Sequence, residues 1–241
     1  MPDARAPRFV YPRRPLTVRL VERPNRYLAR VQSANGGASF LAHVPNPGRM
    51  EELLLPGITE GYVVPAGGPR RKTRFDLVAV RYGRSIVSID SRVANRLVAQ
   101  ALSLGLLPEF GSGPWRPEVP FDRCRLDFGQ CENGTVTGLL EVKSSNLRVG
   151  ELALFPDAPT ERGTRHLRTL GRAARRGLAA GVLFVIQHDR ARAFAPNAAL
   201  DPPFARALAA AARRGVVVRA RTTRVTPGDV RWGRELPVVL P

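Results

Sequence analysis

The chain has 241 residues, of which 44% are hydrophobic, enough for the core of one or two domains and too many for a disordered chain. It carries 38 Lys plus Arg against 20 Asp plus Glu, a net charge of +18, which points to a polyanionic partner, most simply nucleic acid, DNA or RNA. No run approaches the roughly 20 apolar residues of a membrane span, and no basic helix carries bulky apolar anchors, so a membrane is not expected as partner.

The first fifteen residues contain no apolar signal core, and the two cysteines, Cys124 and Cys131, fit no zinc spacing. Free thiols in a reduced cytoplasm are the expectation. The sequence leaves room for a homodimer. The positive charge is spread along the chain: residues 1–90 hold 15 basic and 7 acidic side chains, and residues 91–241 hold 23 and 13.

Residues 1–90 read as a β-domain with one short helix. Leu16–Glu22 alternates in polarity. Arg26–Ser33 and Ala38–Val44 flank the turn Asn35-Gly36-Gly37, and Pro45-Asn46-Pro47-Gly48 stops the second strand. Arg49–Leu55 reads as a helical segment, Tyr62–Pro65 as a short strand, and Arg74–Val80 with Arg84–Ile89 as a hairpin. Three strands, a helix and two strands is the order of an OB-fold, a barrel that often takes oligonucleotides. Its strand face would present Tyr27, Arg30, Phe40 and His43, the mixture of aromatic and basic groups that single-strand binding needs. The loop around Arg70, Arg71, Lys72 and Arg74 has no core to fill, which leaves phosphate contact or plain solvation.

Residues 91–241 read as an α/β domain. Arg92–Leu104 is a helix by its apolar spacing, and a short strand follows around Glu118–Phe121. Cys124–Phe128 and Leu139–Asn146 are strands separated by an acidic segment with Asn133-Gly134, a hairpin signal. Glu151–Phe155 is a further strand. Thr160 is a plausible N-cap for a helix reaching Arg176. Gly181–Gln187 is apolar throughout, as a buried central strand should be, with Arg190–Ala195 as its expected neighbour. Pro202–Arg214 is an Ala-rich helix and Val216–Val225 the last strand expected.

The chemistry concentrates at LLEVKSSN, Leu139–Asn146. On a strand, Glu141 and Lys143 project together while Leu140 and Val142 face the other way. If the hairpin pairs, Asp127 stands beside them, and two carboxylates and an amine meet. Mg²⁺, or Mn²⁺, uses one or two carboxylates and keeps several waters. Held by Asp127 and Glu141, it would polarise a phosphodiester and acidify a water, with Lys143 orienting that water. Glu118 is a candidate further ligand. Lys143 is one of only two lysines, the other being Lys72, in a chain whose positive charge is otherwise arginine. Arginine cannot be deprotonated and is a planar fork, so a surviving lysine beside two acids suggests work that needs an amine. Asp followed by Glu-x-Lys after a hairpin is the pattern of PD-(D/E)xK nucleases, here without the first proline.

Three stretches carry a wider resemblance: HVPNPGRM (His43–Met50), RLDF with EVKS (Arg125–Phe128 and Glu141–Ser144), and FPDAPTERGTRHL (Phe155–Leu167). In this order, over nearly the whole chain, they resemble the sugar fermentation stimulation protein A family. The resemblance implies an OB-fold in residues 1–90 joined to a PD-(D/E)xK domain in residues 91–241. It also implies DNA binding and a role in regulating sugar metabolism, notably of maltose. Its nuclease-like positions fall on Asp127, Glu141 and Lys143, all present here. On a helix starting at Thr160, Arg162 and His166 are four apart and share a face, so both are expected to face that site and contact phosphate. Gly163, costly in a first turn, suggests a close approach by a strand or a phosphate. His188 reads as structural. Two functions remain: a metal-dependent nuclease, or a non-catalytic, largely sequence-independent DNA-binding regulator of sugar metabolism genes.

Overall fold

The structure, a computed structural model, describes residues 6–68 and 71–241. Arg70, one of the expected phosphate contacts, lies outside the described residues. In chain order the elements are β1 (Arg8–Val10), β2 (Leu16–Asn25), β3 (Leu28–Ser33), β4 (Phe40–His43), β5 (Glu60–Pro65), β6 (Phe75–Tyr82) and β7 (Ser85–Ser88). Then come α1 (Arg92–Ser103), a 3-10 turn at Pro108–Phe110, β8 (Trp115–Phe121), β9 (Cys124–Glu132), β10 (Thr135–Ser145), β11 (Arg148–Val149) and β12 (Leu152–Phe155). The chain closes with α2 (Glu161–Arg175), β13 (Ala179–Ile186), β14 (Ala193–Pro196), α3 (Pro202–Arg213), β15 (Val217–Val225) and β16 (Asp229–Leu236).

Strands β2 to β6 form the OB barrel. They pair in the order β4-β3-β2-β5-β6, and a parallel contact of His43 with Asp76 joins β4 to β6 and closes the ring. Alternate residues such as Val18, Leu20, Ala29 and Val31 fill its interior, as the two-residue period of a strand requires. The expected helix at Arg49–Leu55 is instead a pair of turns. Met50 has φ 48°, and Pro56-Gly57 follows six residues later, so there is no length over which helix nucleation can be recovered. The expected strand beginning at Arg26 starts at Leu28, which puts Tyr27 in the β2–β3 turn rather than on a strand face.

The second unit is built on a seven-stranded sheet ordered β1-β16-β15-β13-β10-β9-β8. The centre, β10-β13-β15, is parallel, and β13 is buried along nearly its whole length because α1 covers one face while α2 and α3 cover the other. Three expectations are corrected here. Residues 8–10, assigned with the barrel, pair with β16 at the far edge of this sheet. The strand after Arg190 joins not β13 but β12, in a separate three-stranded sheet ordered β11-β12-β14. A further strand, β16, follows β15; its polar, Gly-containing sequence DVRWGREL lacks clean alternation.

Helix α2 begins as its sequence suggests. The Thr160 hydroxyl accepts from the Gly163 N–H at 3.1 Å, a standard N-cap bond. Gly163 serves that cap and helix packing rather than a phosphate: a Cβ there would lie 2.9 Å from the Thr160 side chain and 3.2 Å from the Phe204 ring of α3. Leu167, Leu170 and Ala173 face the sheet, while Arg165, Arg168 and Arg175 face solvent.

Candidate metal centre and nucleic-acid interface

The β9–β10 ladder ends at the pair Phe128–Leu140. Leu126 packs beneath α2 and Phe128 beneath α1, so β9 turns over at Asp127. The Asp127 carboxylate fills the gap this opens. Its Oδ2 accepts from the Val142 backbone N–H at 2.8 Å, in place of a neighbouring strand, and its Oδ1 accepts from Asn95 Nδ2 on α1 at 2.9 Å.

On β10, Leu140 and Val142 pack beneath α1, and Glu141 points to the opposite side, towards α2. With β13 alongside and α2 above, Glu141 is only 2% exposed. Its Oε1 is shared: Lys143 Nζ pairs with it, and His166 Nδ1 lies 2.5 Å away. Arg162 Nε donates weakly to His166 Nε2 across 3.4 Å. A guanidinium only donates, so Nε2 accepts and the ring proton resides on Nδ1, donated to Glu141. The other oxygen, Glu141 Oε2, is buried and has no hydrogen-bond partner among the described residues.

The two carboxyls are driven apart. Burial and then the Glu141 charge raise the Asp127 carboxyl above its usual range, offset only in part by the Val142 N–H, Lys143 and Asn95. Burial also pushes Glu141 up, but Lys143 and His166 together outweigh it and hold that carboxyl low. A buried carboxylate oxygen without a donor calls for an explanation, and a hard cation is a chemically apt one. The donor set fits such an ion with two protein ligands. Among the described residues no three His, Cys, Asp or Glu side chains converge on one point, so waters and phosphate oxygens would complete the shell.

Glu118 is not part of this group. The β8–β9 register places it across from Asp127, but its backbone is left-handed at φ 57° and its side chain is in solvent, 3.8 Å from Arg125. The sequence offered only its proximity to the hairpin; the backbone turn takes it away.

Asp127, Glu141 and Lys143 open into a cleft of about 460 Å³ between the barrel and the second unit. All three stretches that carry the family resemblance contribute walls: Asn46 and Gly48, then Asp127 to Ser144, then Phe155 to Arg162. Arg162 lines the cleft, while His166 is 4% exposed and reaches it only through Glu141. The expected phosphate contact by His166 is therefore replaced by a bond to the acid. Of the described barrel residues expected to bind nucleic acid, none lines this cleft. Tyr27 is exposed on its turn, Arg30 pairs with Glu22 at 2.6 Å, and Arg71 is tied to the buried Asp76. Lys72 and Arg74 stand exposed on their loop.

Polar residues that line the cleft without having been singled out include Arg26, Asn95, Asn146 and Asp157. Asp157 lies inside the FPDAPTERGTRHL stretch, so the resemblance already pointed at it. Asn95 and Arg26 had no local signal, because only the docking of α1 brings Asn95 to Asp127 and only the placement of the β2–β3 turn brings Arg26 to the cleft. Barrel and second unit are bonded here: Asn46 Nδ2 donates to Asn146 Oδ1 at 3.3 Å, the Met50 N–H to Asp157 Oδ2 at 3.3 Å, and Ser91 Oγ to the Pro45 carbonyl at 2.8 Å.

An OB barrel set against a PD-(D/E)xK-type mixed sheet defines a two-part class of protein with its acid pair at the seam. Residues 21–89 match the SfsA N-terminal OB domain, and residues 92–229 match the sugar fermentation stimulation protein RE domain. A sugar fermentation stimulation protein homolog of Chloroflexus aurantiacus is 44% identical over 217 residues, covering 90% of this chain and 82% of the relative. A homolog of Natranaerobius thermophilus is 41% identical, covering 90% and 91%. The structure of Pyrococcus furiosus SfsA in complex with Ca²⁺ superposes with a TM-score of 0.85 at 28% identity, covering 96% of this chain and 98% of that one. The chain belongs to the sugar fermentation stimulation protein family. Among the described residues no helix is long and apolar enough to cross a membrane.

Proposed function

We propose that this protein is a divalent-metal-dependent nuclease that hydrolyses phosphodiester bonds in DNA, with RNA as a second substrate class, in the cytoplasm. The observation that carries the reading is the Glu141 carboxylate beside the cleft that Asp127 lines: one oxygen is held by Lys143 and His166, and the other is buried with no partner among the described residues. Asp127 and Glu141 would hold Mg²⁺ or Mn²⁺, and the Ca²⁺ bound by the Pyrococcus furiosus relative supports a divalent cation here. Such a metal, when bound, polarises the phosphodiester and acidifies a water. Lys143 orients the attacking water and offsets the charge developing on the phosphate. Arg162 binds a phosphate oxygen, and His166 keeps the Glu141 carboxylate in place. The net charge of +18 favours a polyanionic substrate.

The test incubates the purified protein with end-labelled DNA and RNA in Mg²⁺, Mn²⁺ or EDTA, beside Lys143→Ala. Metal-dependent cleavage that the substitution abolishes is expected. Cleavage left unchanged by Lys143→Ala would assign the activity elsewhere. One observation favours a second reading: the Lys143 ammonium is paired with Glu141, and among the described residues no third acidic or imidazole group joins Asp127 and Glu141. On that reading the protein holds DNA without cutting it and regulates sugar metabolism genes. Salt-sensitive binding with no cleavage in any metal would select it.

A further inference from the structure

Resting on the nuclease reading of the same cleft, we propose that the site takes a single strand, or the splayed end of one, and excludes the continuous duplex. The acid pair does not lie on an open face. Glu141 is 2% exposed, and the side chain of Lys143 is 14% exposed, so a phosphate must descend into the cleft to reach them.

The roof above that path is fixed. It is the Pro45–Gly48 turn of the barrel, held by the Asn46–Asn146, Met50–Asp157 and Ser91–Pro45 hydrogen bonds. Gly48 sits so close to Asp157 that a Cβ there would run into the carboxylate. Lifting the roof breaks all of these contacts together. A space of about 460 Å³ lies in the range of sites that enclose a small ligand, about 300–1,000 Å³. It admits one or two nucleotides. A duplex, whose major groove alone is about 12 Å wide, carries its second strand wherever the first goes and meets the roof.

The lining chemistry agrees. Arg26, on the β2–β3 turn of the barrel, and Arg162, on α2, both line the cleft, and among the described residues neither has an ion pair, which leaves both guanidinium groups available to phosphates. The amides that a base edge would use are already engaged: Asn46 with Asn146 and the Gly48 N–H, Asn95 with Asp127, and Asn146 with the Ser88 carbonyl. Pro47 and Pro159 offer apolar surface instead. Such a site grips backbone and base faces and reads no sequence.

The experiment uses the full chain, a homopolymeric single strand, and a dumbbell duplex closed at both ends by hexaethylene glycol linkers, so that it has neither ends nor unpaired nucleotides. Binding is followed by fluorescence anisotropy in Ca²⁺, and cleavage is followed in Mn²⁺. The single strand is expected to be cut and the dumbbell to survive. Arg26→Glu is expected to weaken single-strand binding by about tenfold, from a lost phosphate contact and a reversed charge, and to leave dumbbell binding by the arginine-rich surface unchanged. Dumbbell cleavage as fast as that of the single strand, or an equal loss of both bindings in Arg26→Glu, would overturn the inference while leaving the nuclease reading intact. If neither substrate is cut but Arg26→Glu still weakens the single strand alone, the nuclease reading fails and the single-strand cleft stands.

Discussion

Replacing His166 by alanine tests whether the buried histidine matters to the proposed metal centre or only to the core. His166 donates to Glu141 Oε1 at 2.5 Å inside a site where Glu141 is 2% exposed. A hydrogen bond to a charged group contributes about 1.5–3 kcal/mol. In a chain of this size, a loss near 2 kcal/mol lowers Tm by roughly 4–8 °C. A structural role alone would produce that much. The positioning role adds a second effect. With His166 gone, Glu141 is held at Oε1 by Lys143 only, and partners of a metal ligand typically contribute about 10–100-fold in metal affinity or activity. Calorimetric titration of Mn²⁺ into the protein, beside cleavage rates and thermal melts, measures both. His166→Ala should lose affinity and rate in that range. His166→Asn, whose amide nitrogen can stand near the place of Nδ1, should recover much of both. The reasoning is refuted if His166→Ala melts early yet binds Mn²⁺ as tightly as the wild type.

Three further outcomes are expected. Mn²⁺ at about a hundredfold over its Kd should stabilise the folded chain by about 2.7 kcal/mol, read as a rise in Tm, and Asp127→Asn should remove most of that rise. His188 is buried with neither ring nitrogen partnered among the described residues. Burial, then Arg148, lowers its pKa to about 4, with Asp189 opposing. A depressed histidine stabilises the fold above its unfolded pKa, and that contribution is lost as pH falls from 6.5 towards 4, a loss of about 3 kcal/mol. Urea unfolding at pH 7 and pH 4 should show this dependence in the wild type and a flatter one in His188→Leu; equal slopes would contradict it. Gly163→Ala should destabilise by about 1–3 kcal/mol despite the better helix propensity of alanine, because the added methyl meets Thr160 and Phe204, and a melt at unchanged temperature would show that α2 and α3 can shift apart.

Much of the molecule was legible in local patterns. Alternation marked the barrel strands and the hairpin signal at Asn133-Gly134 marked the β9–β10 turn, where both residues have positive φ. The apolar run at β13 announced a strand covered on both sides, and Thr160 announced a helix start. These are short-range properties: a two-residue period, a turn that needs positive φ, a hydroxyl beside free N–H groups. The elements read wrongly are those where long-range contact decides. The turns at Met50–Ile58 are fixed by packing inside the barrel, the strand after Arg190 is recruited by β12, and the N-terminal strand crosses to β16.

The candidate site divides along the same line. That Glu141 and Lys143 share a face follows from the pleat of a strand, and that Arg162 and His166 share one follows from the pitch of a helix; neighbours in sequence suffice for both. That His166 reaches Glu141, that Glu118 turns away, that Asn95 takes an Asp127 oxygen, and that the barrel closes over them depend on how separate elements pack. The His166–Glu141 and Asn95–Asp127 contacts join side chains 25 and 32 residues apart, brought together by the burial of the sheet between its helices, and Glu118 turns away on a left-handed backbone that its own side-chain type does not announce.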